Sequence, residues 1–196
     1  KKSGDANQCV MSLTNGDWTD SFALYLSSLN SVQAGTYNSA IGQEASVGSV
    51  SSAWAHVGAV FASADSRQAF LNGSGGTIAT LSVTPAGLNT TRIGRYGNSP
   101  VDFYFGGSIA QAAIYNATLS ASDMASLASG CSPLLIRPDA LVAYWPLIGA
   151  YSPEIDLRGG FPLTFNNSPT QADHAPVIST RRYFFVPSVE DVSSAS

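Results

Sequence analysis

Enzymes build most of their chemistry from paired carboxylates, histidine or cysteine sets at metal spacing, and activated nucleophiles, and this chain is short of all three. It carries three glutamates, Glu44, Glu154 and Glu190, and the closest two are 36 residues apart. Cleaving a glycosidic bond with two acids needs them side by side on one face. The aspartates are scattered, mostly beside Gly, Ser or Pro, where they read as turn formers and caps. Neither histidine, His56 or His174, has a Cys or His at ligand spacing. His56, among apolar neighbours, reads as a hydrogen-bonded structural histidine. No G-x-S-x-G elbow is present. Gly73-Ser74-Gly75-Gly76 lacks the lysine and the following helix of a phosphate loop, and reads as a hairpin turn. Cys9 and Cys131 do not make a disulfide framework. They read as two buried free thiols, with a single bridge open to them in an oxidising compartment. Sequons at Asn72, Asn89, Asn116 and Asn166 matter only in a secreted eukaryotic setting. The inventory points to a protein that is not an enzyme.

The elements that would position these residues are strands. Apolar residues recur with period two: in 20–27 (DSFALYLS), Phe22, Leu24 and Leu26 alternate with Ala23 and Tyr25. In 54–61 (WAHVGAVF), Trp54, His56, Gly58 and Val60 share one face and Ala55, Val57, Ala59 and Phe61 the other. Residues 68–72 end at Asn72-Gly73, a tight-turn signal. Further strands are predicted at 77–83, 90–95, 108–115 and 140–147, separated by Gly-, Asn- and Ser-rich breaks. One helix is predicted over 120–129. Ser120 is its N-cap, Asp123 completes a capping box, Leu119 and Met124 form a staple, and Gly130 ends it. Many short strands with one helix indicate an all-β, two-sheet antiparallel jelly-roll sandwich.

Composition narrows the function classes. Only 11% of the 196 residues are charged, the net charge is −4, and Lys1 and Lys2 are the only lysines. No basic surface exists to neutralise a phosphate backbone, so nucleic acid is excluded as a partner. No apolar run reaches the roughly 18 residues that span a bilayer, so no membrane partner is expected. Apolar content is ordinary, which argues against disorder. Lys1 and Lys2 lead into the polar run SGDANQ rather than a signal-peptide core, so export is expected by another route or with a leader upstream.

Three segments carry a family likeness: Trp54-Ala55-His56-Val57-Gly58-Ala59-Val60 followed by Phe70-Leu71-Asn72-Gly73; then Arg92-Ile93-Gly94; then Phe105-Gly106-Gly107-Ser108-Ile109-Ala110-Gln111-Ala112-Ala113-Ile114-Tyr115-Asn116 leading into Leu119-Ser120. In this order they resemble the laminin-G-like branch of the concanavalin A-like lectin/glucanase superfamily, over roughly residues 8–130. The resemblance implies a concanavalin A-like jelly roll. It also implies that the family's first strand is absent here. The open place would be filled by Ala140–Leu147, by the tail, or by a strand of a neighbouring chain. Glucanases of the superfamily set glutamates a few residues apart on one strand, and none of the three glutamates is so placed. Laminin-G-like domains often bind calcium at the sandwich rim, and Asn15-Gly16-Asp17-Trp18-Thr19-Asp20 is the local candidate. Asp17 and Asp20 would be the ligands, against the plainer reading of the same loop as a hairpin turn with solvated acids. Trp18 is the candidate sugar-stacking platform, or else packs over the sheet edge.

Three parts are expected: a laminin-G-like jelly roll over 1–132, an extension over 133–176 that packs on or completes the sandwich, and a tail or arm over 177–196. The extension resembles those that follow laminin-G-like domains in phage and metagenomic virion proteins. Tyr183, Phe184 and Phe185 sit in a continuous apolar run that needs covering, and are the candidate assembly contacts. The function expected is that of a non-catalytic virion subunit: a capsid decoration, head-fibre or tail-associated protein. Its partners would be other virion proteins or copies of itself. The alternative is a glycan-binding, calcium-dependent lectin module of a secreted or surface protein.

Overall fold

The computed structural model describes residues 7–97, 103–149 and 152–177. Its first sheet has five antiparallel strands: β1 (Gln8–Thr14), β2 (Ser21–Leu26), β3 (Ser31–Tyr37), β4 (Gly42–Ser49) and, beyond the next three strands in the chain, β8 (Thr90–Ile93). The spatial order is β4-β3-β2-β1-β8. The intervening β5 (Val57–Ser63), β6 (Ser66–Leu71) and β7 (Ser74–Gly75) form a three-stranded sheet. The last two strands, β9 (Ala112–Tyr115) and β10 (Leu141–Trp145), pair with each other.

Register explains the layering. Leu24 lies opposite Ala34 and Leu26 opposite Val32, so period two puts these four on one face. That face meets Val57, Ala59, Phe61, Ala69 and Leu71 of β5 and β6 to make the main core. The β9–β10 pair packs Ala112, Ala143 and Trp145 against Met11 and Ile93 at the other end of the large sheet.

The helix α1 (Ala121–Ala128) has the expected capping box between Ser120 and Asp123. Gly130 sits at φ +91°, the left-handed position that stops it. Leu119 and Met124 are both buried in one cluster with Phe70, on the outer face of β5 and β6. Gly58 makes this approach possible: a Cβ there would lie 2.2 Å from the Met124 Cε. The Asn72-Gly73 turn also forms, with φ of +48° and +82° between paired residues Leu71 and Ser74.

Several boundaries differ from those the alternation predicts. β5 starts at Val57 because Trp54–His56 lie outside the ladder, the His56 N–H bonding to the Asn72 Oδ1 instead (3.0 Å). Residues 77–83 make a single bridge, Ala79 to Arg67. Arg67, buried, donates its Nη2 to the carbonyls of Ala64 and Leu81 and so fastens that segment without a ladder. β9 is confined to Ala112–Tyr115, since Gln111 at φ +57° breaks the extended run. β1, β3 and β4 go unannounced by the sequence, since Gly, Ser and Gln dilute their alternation.

Candidate functional site

The outer face of the large sheet holds a polar aromatic cluster. Residues 21, 23 and 25 of β2 point there, as do Gly35 and Tyr37 of β3 and Glu44 of β4, by the same register that sends Leu24 and Ala34 inward. The Tyr25 and Tyr37 hydroxyls lie 3.1 Å apart, and Tyr37 donates to the exposed Glu44 carboxylate. Gly35 and Gly42 leave room for the Tyr37 ring, which a Cβ at either position would strike. Tyr96 packs tilted against Tyr37 and edge-on against Phe103, with ring centroids 6.1 and 5.9 Å away, and its hydroxyl bonds to Ser21 Oγ at 2.7 Å. Burial pushes the Tyr96 phenol up to about 12, and pushes those of Tyr25 and Tyr37 further up. All three therefore stay neutral hydroxyls, able to donate and accept, at any physiological pH. Arg95 lies 5.1 Å from the ring centroid of the exposed Tyr104 at the edge of this face. An array of rings, hydroxyls and one carboxylate is suited to a ligand rich in hydroxyl groups.

Trp18 is 44% exposed, and its carbonyl accepts from the Tyr96 hydroxyl at 3.4 Å, so the predicted platform residue borders this cluster. Asp17 and Asp20 lie in the same loop, and each accepts a backbone N–H. Asp17 Oδ1 accepts the Trp18 N–H at 2.8 Å, and Asp20 Oδ1 accepts the Ala86 N–H at 3.0 Å, which ties the loop to the chain before β8. Asn15 Oδ1 in turn takes the Asp17 N–H. No group of three or more His, Cys, Asp or Glu side chains that could hold a metal occurs among the described residues. Tyr183, Phe184 and Phe185 lie outside the described residues.

The extension holds two acids that a search for glutamate pairs passes over. Glu154 and Asp156 are two residues apart and only 5% and 8% exposed. Asp156 accepts from the backbone N–H groups of Tyr144, Arg158, Gly159 and Phe161, at 2.8 to 3.1 Å. Burial raises its pKa, but these four donors outweigh burial and hold the carboxyl below its ordinary value. Glu154 Oε1 accepts from Leu147 and Ile148. Both carboxylates thus brace the extension against β10. The intervening and following residues point outward: Ile155 is 65% and Leu157 52% exposed, and Ile148 and Phe161 are exposed beside them in the chain.

His56 departs from expectation, because its Nδ1 is buried without a hydrogen-bond partner, and burial lowers its pKa. Cys9 and Cys131 are free thiols; Cys9 is buried, which pushes it up to about 12, and Cys131 is half-buried.

One solved structure is similar to this chain: an S-layer domain-containing protein (residues 221–444) from Clostridium thermocellum ATCC 27405, 21% identical, with a TM-score of 0.34. The match covers 65% of this chain and 65% of that one, just under two thirds of its length. No curated protein matches. A family model of laminin-G type, described as the concanavalin A-like lectin/glucanases superfamily, matches residues 1–125. That span takes in both facing sheets and most of the capped helix, and by it the chain belongs to the concanavalin A-like lectin/glucanase superfamily.

Proposed function

We propose that this protein is a non-catalytic structural subunit that works by assembly, its contact surface being the outward apolar side chains Ile148, Ile155, Leu157 and Phe161. The observation that carries this reading is the inverted pattern around Asp156: two acids are buried while Ile155 and Leu157 stand in water. Soluble monomers rarely expose clustered large apolar side chains unless something covers them. A surface poor in Lys and Glu also loses little side-chain entropy on packing. The finer assignment to a virion, as a capsid decoration, head-fibre or tail-associated subunit, rests on the resemblance of the extension to those of virion proteins. Sedimentation of the full chain tests the reading. Concentration-dependent association is expected, weakened at least ~tenfold in Ile155→Ser/Leu157→Ser, because burying each such side chain is worth roughly 1.5–3 kcal/mol. A strict monomer at every concentration would overturn self-assembly as the mode.

A second reading is favoured by the tyrosine face. Tyr25, Tyr37, Glu44 and Trp18 form a surface able to bind a glycan by stacking and hydroxyl hydrogen bonds, on a secreted or cell-surface protein. A glycan array separates the readings. Saturable binding that is lost in Trp18→Ala and Tyr37→Ala supports a lectin module; absence of any saturable sugar binding leaves assembly alone.

A further inference from the structure

A cleft of about 1070 Å³ lies among the large sheet, β5, β9 and the helix. Leu24, Phe61, Ile93, Phe105, Ile114 and Leu127 are among its walls, and all six are only half-buried. Apolar side chains around a gap of this size lack the contacts that a filled core would give them. Polar side chains gather at the rim, where Asn72, Asn116 and Thr118 line the cleft and are exposed. Ser108 and Gln111 line it too, and the Gln111 amide is tied to Tyr144 and His174. No Asp, Glu, Lys or Arg occurs among the described lining residues. His56 is also on the wall, and burial lowers its pKa, so it stays uncharged at neutral pH. Its buried Nδ1 has no hydrogen-bond partner, which leaves hydrogen-bonding capacity unused on this wall. The cleft thus combines apolar walls with polar groups that are all neutral.

These features select the occupant. The volume is at the upper end for small-molecule sites, about 300–1,000 Å³, which typically have apolar walls and a few polar groups that fix orientation. A carboxylate, phosphate or ammonium group placed here would lose hydration with no opposite charge to meet it. An uncharged amphiphile escapes that cost. We propose that the cleft binds a neutral lipophilic molecule with a hydroxyl or amide head, of which a long-chain alcohol is the simplest case. Its apolar body would lie among Leu24, Phe61, Phe105 and Ile114, which supplies the contacts these side chains lack. Its head would sit at the rim, beside amide and hydroxyl side chains that both donate and accept. Residues 148–161 take no part in the lining, so the assignment stands whether or not the protein assembles through Ile155 and Leu157.

The test uses the full chain and a diazirine-bearing dodecanol, irradiated and mapped by mass spectrometry. Saturable labelling of β5, β9, Met124 or Leu127 is expected, displaced by plain dodecanol. The matching diazirine-bearing dodecanoic acid, ionised at neutral pH, should bind at least about tenfold more weakly. Ile155→Ser/Leu157→Ser should label as the unmodified chain does. Labelling concentrated on residues 148–161, no saturable labelling, or equal binding of alcohol and acid would each overturn the proposal. A second readout fills the cleft from β5. Ala59→Phe should weaken dodecanol binding at least about tenfold while the chain still unfolds cooperatively in urea. Undiminished binding by this folded variant would also overturn the proposal, and if the variant does not fold, the labelling map decides.

Discussion

Asp156 shows how one side chain organises a segment with little regular structure. Its two oxygens receive four backbone N–H groups that no helix or sheet would otherwise satisfy. Asp156→Asn keeps the shape but removes the charge and turns one acceptor into a donor. The variant is expected to lose about 1–3 kcal/mol at neutral pH, measured by urea unfolding. The sign of the pH dependence follows from the lowered pKa. Stability from Asp156 is present above the ordinary carboxylate value and fades as pH falls through the folded-state value, so the deficit of the variant should shrink in acid. The tyrosines act in the opposite sense. Tyr25, Tyr37, Tyr96 and Tyr115 are all raised by burial. The unfolded chain therefore ionises first, and stability should decline once pH exceeds about 10. An alkaline absorbance titration should resolve a late-ionising group of phenols, and Tyr37→Phe should remove one member of it.

Among the strands and the helix, close approaches are set by glycines whose neighbours differ in compliance. A Cβ at Gly58 would meet the Met124 Cε at 2.2 Å, the far end of a flexible side chain that can swing aside. At Gly76 it would meet the Ser46 carbonyl oxygen at 2.1 Å, which is backbone of β4. Gly58→Ala should cost under about 1 kcal/mol and Gly76→Ala about 1–3 kcal/mol, read from denaturation midpoints. Equal costs at both sites would show that the packing of helix on sheet is as rigid as that of sheet on sheet. The helix itself depends on its cap: Ser120→Ala should cost about 1 kcal/mol, because the Asp123 N–H loses its acceptor and the box loses half its reciprocity.

Across the whole molecule the question is whether the extension is a separate unit. Trp145 is buried, donates its indole N–H to the Phe161 carbonyl at 2.7 Å, and packs with Met11 and Ile93 of the large sheet. It thus couples three regions distant in the chain. Trp145→Ala should lower stability by about 3–5 kcal/mol in one cooperative transition. Two separate transitions, with the sandwich unaffected, would mean that the extension folds independently.

Local patterns in the sequence determine a good part of this protein. Strict alternation marks β2 and β5, the Asn72-Gly73 pair marks its hairpin, and Ser120 with Asp123 marks the start of the helix. Each of these needs only neighbours within a few residues. The ordered segments from Trp54 to Tyr115 likewise carry the superfamily. The tertiary structure alone decides the rest, because it depends on contacts between distant segments. Tyr25, Tyr37, Glu44 and Tyr96 are unremarkable where they stand in the chain, and only strand register and the loop over the outer face bring them together. The acids of the extension look like solvated turn residues until β10 and the chain after it surround them with N–H groups. Alternation tells which residues share a face, but not which face a loop will cover or which strand edge will be left open. Those outcomes are fixed by pairing across the chain, which period-two patterns do not encode.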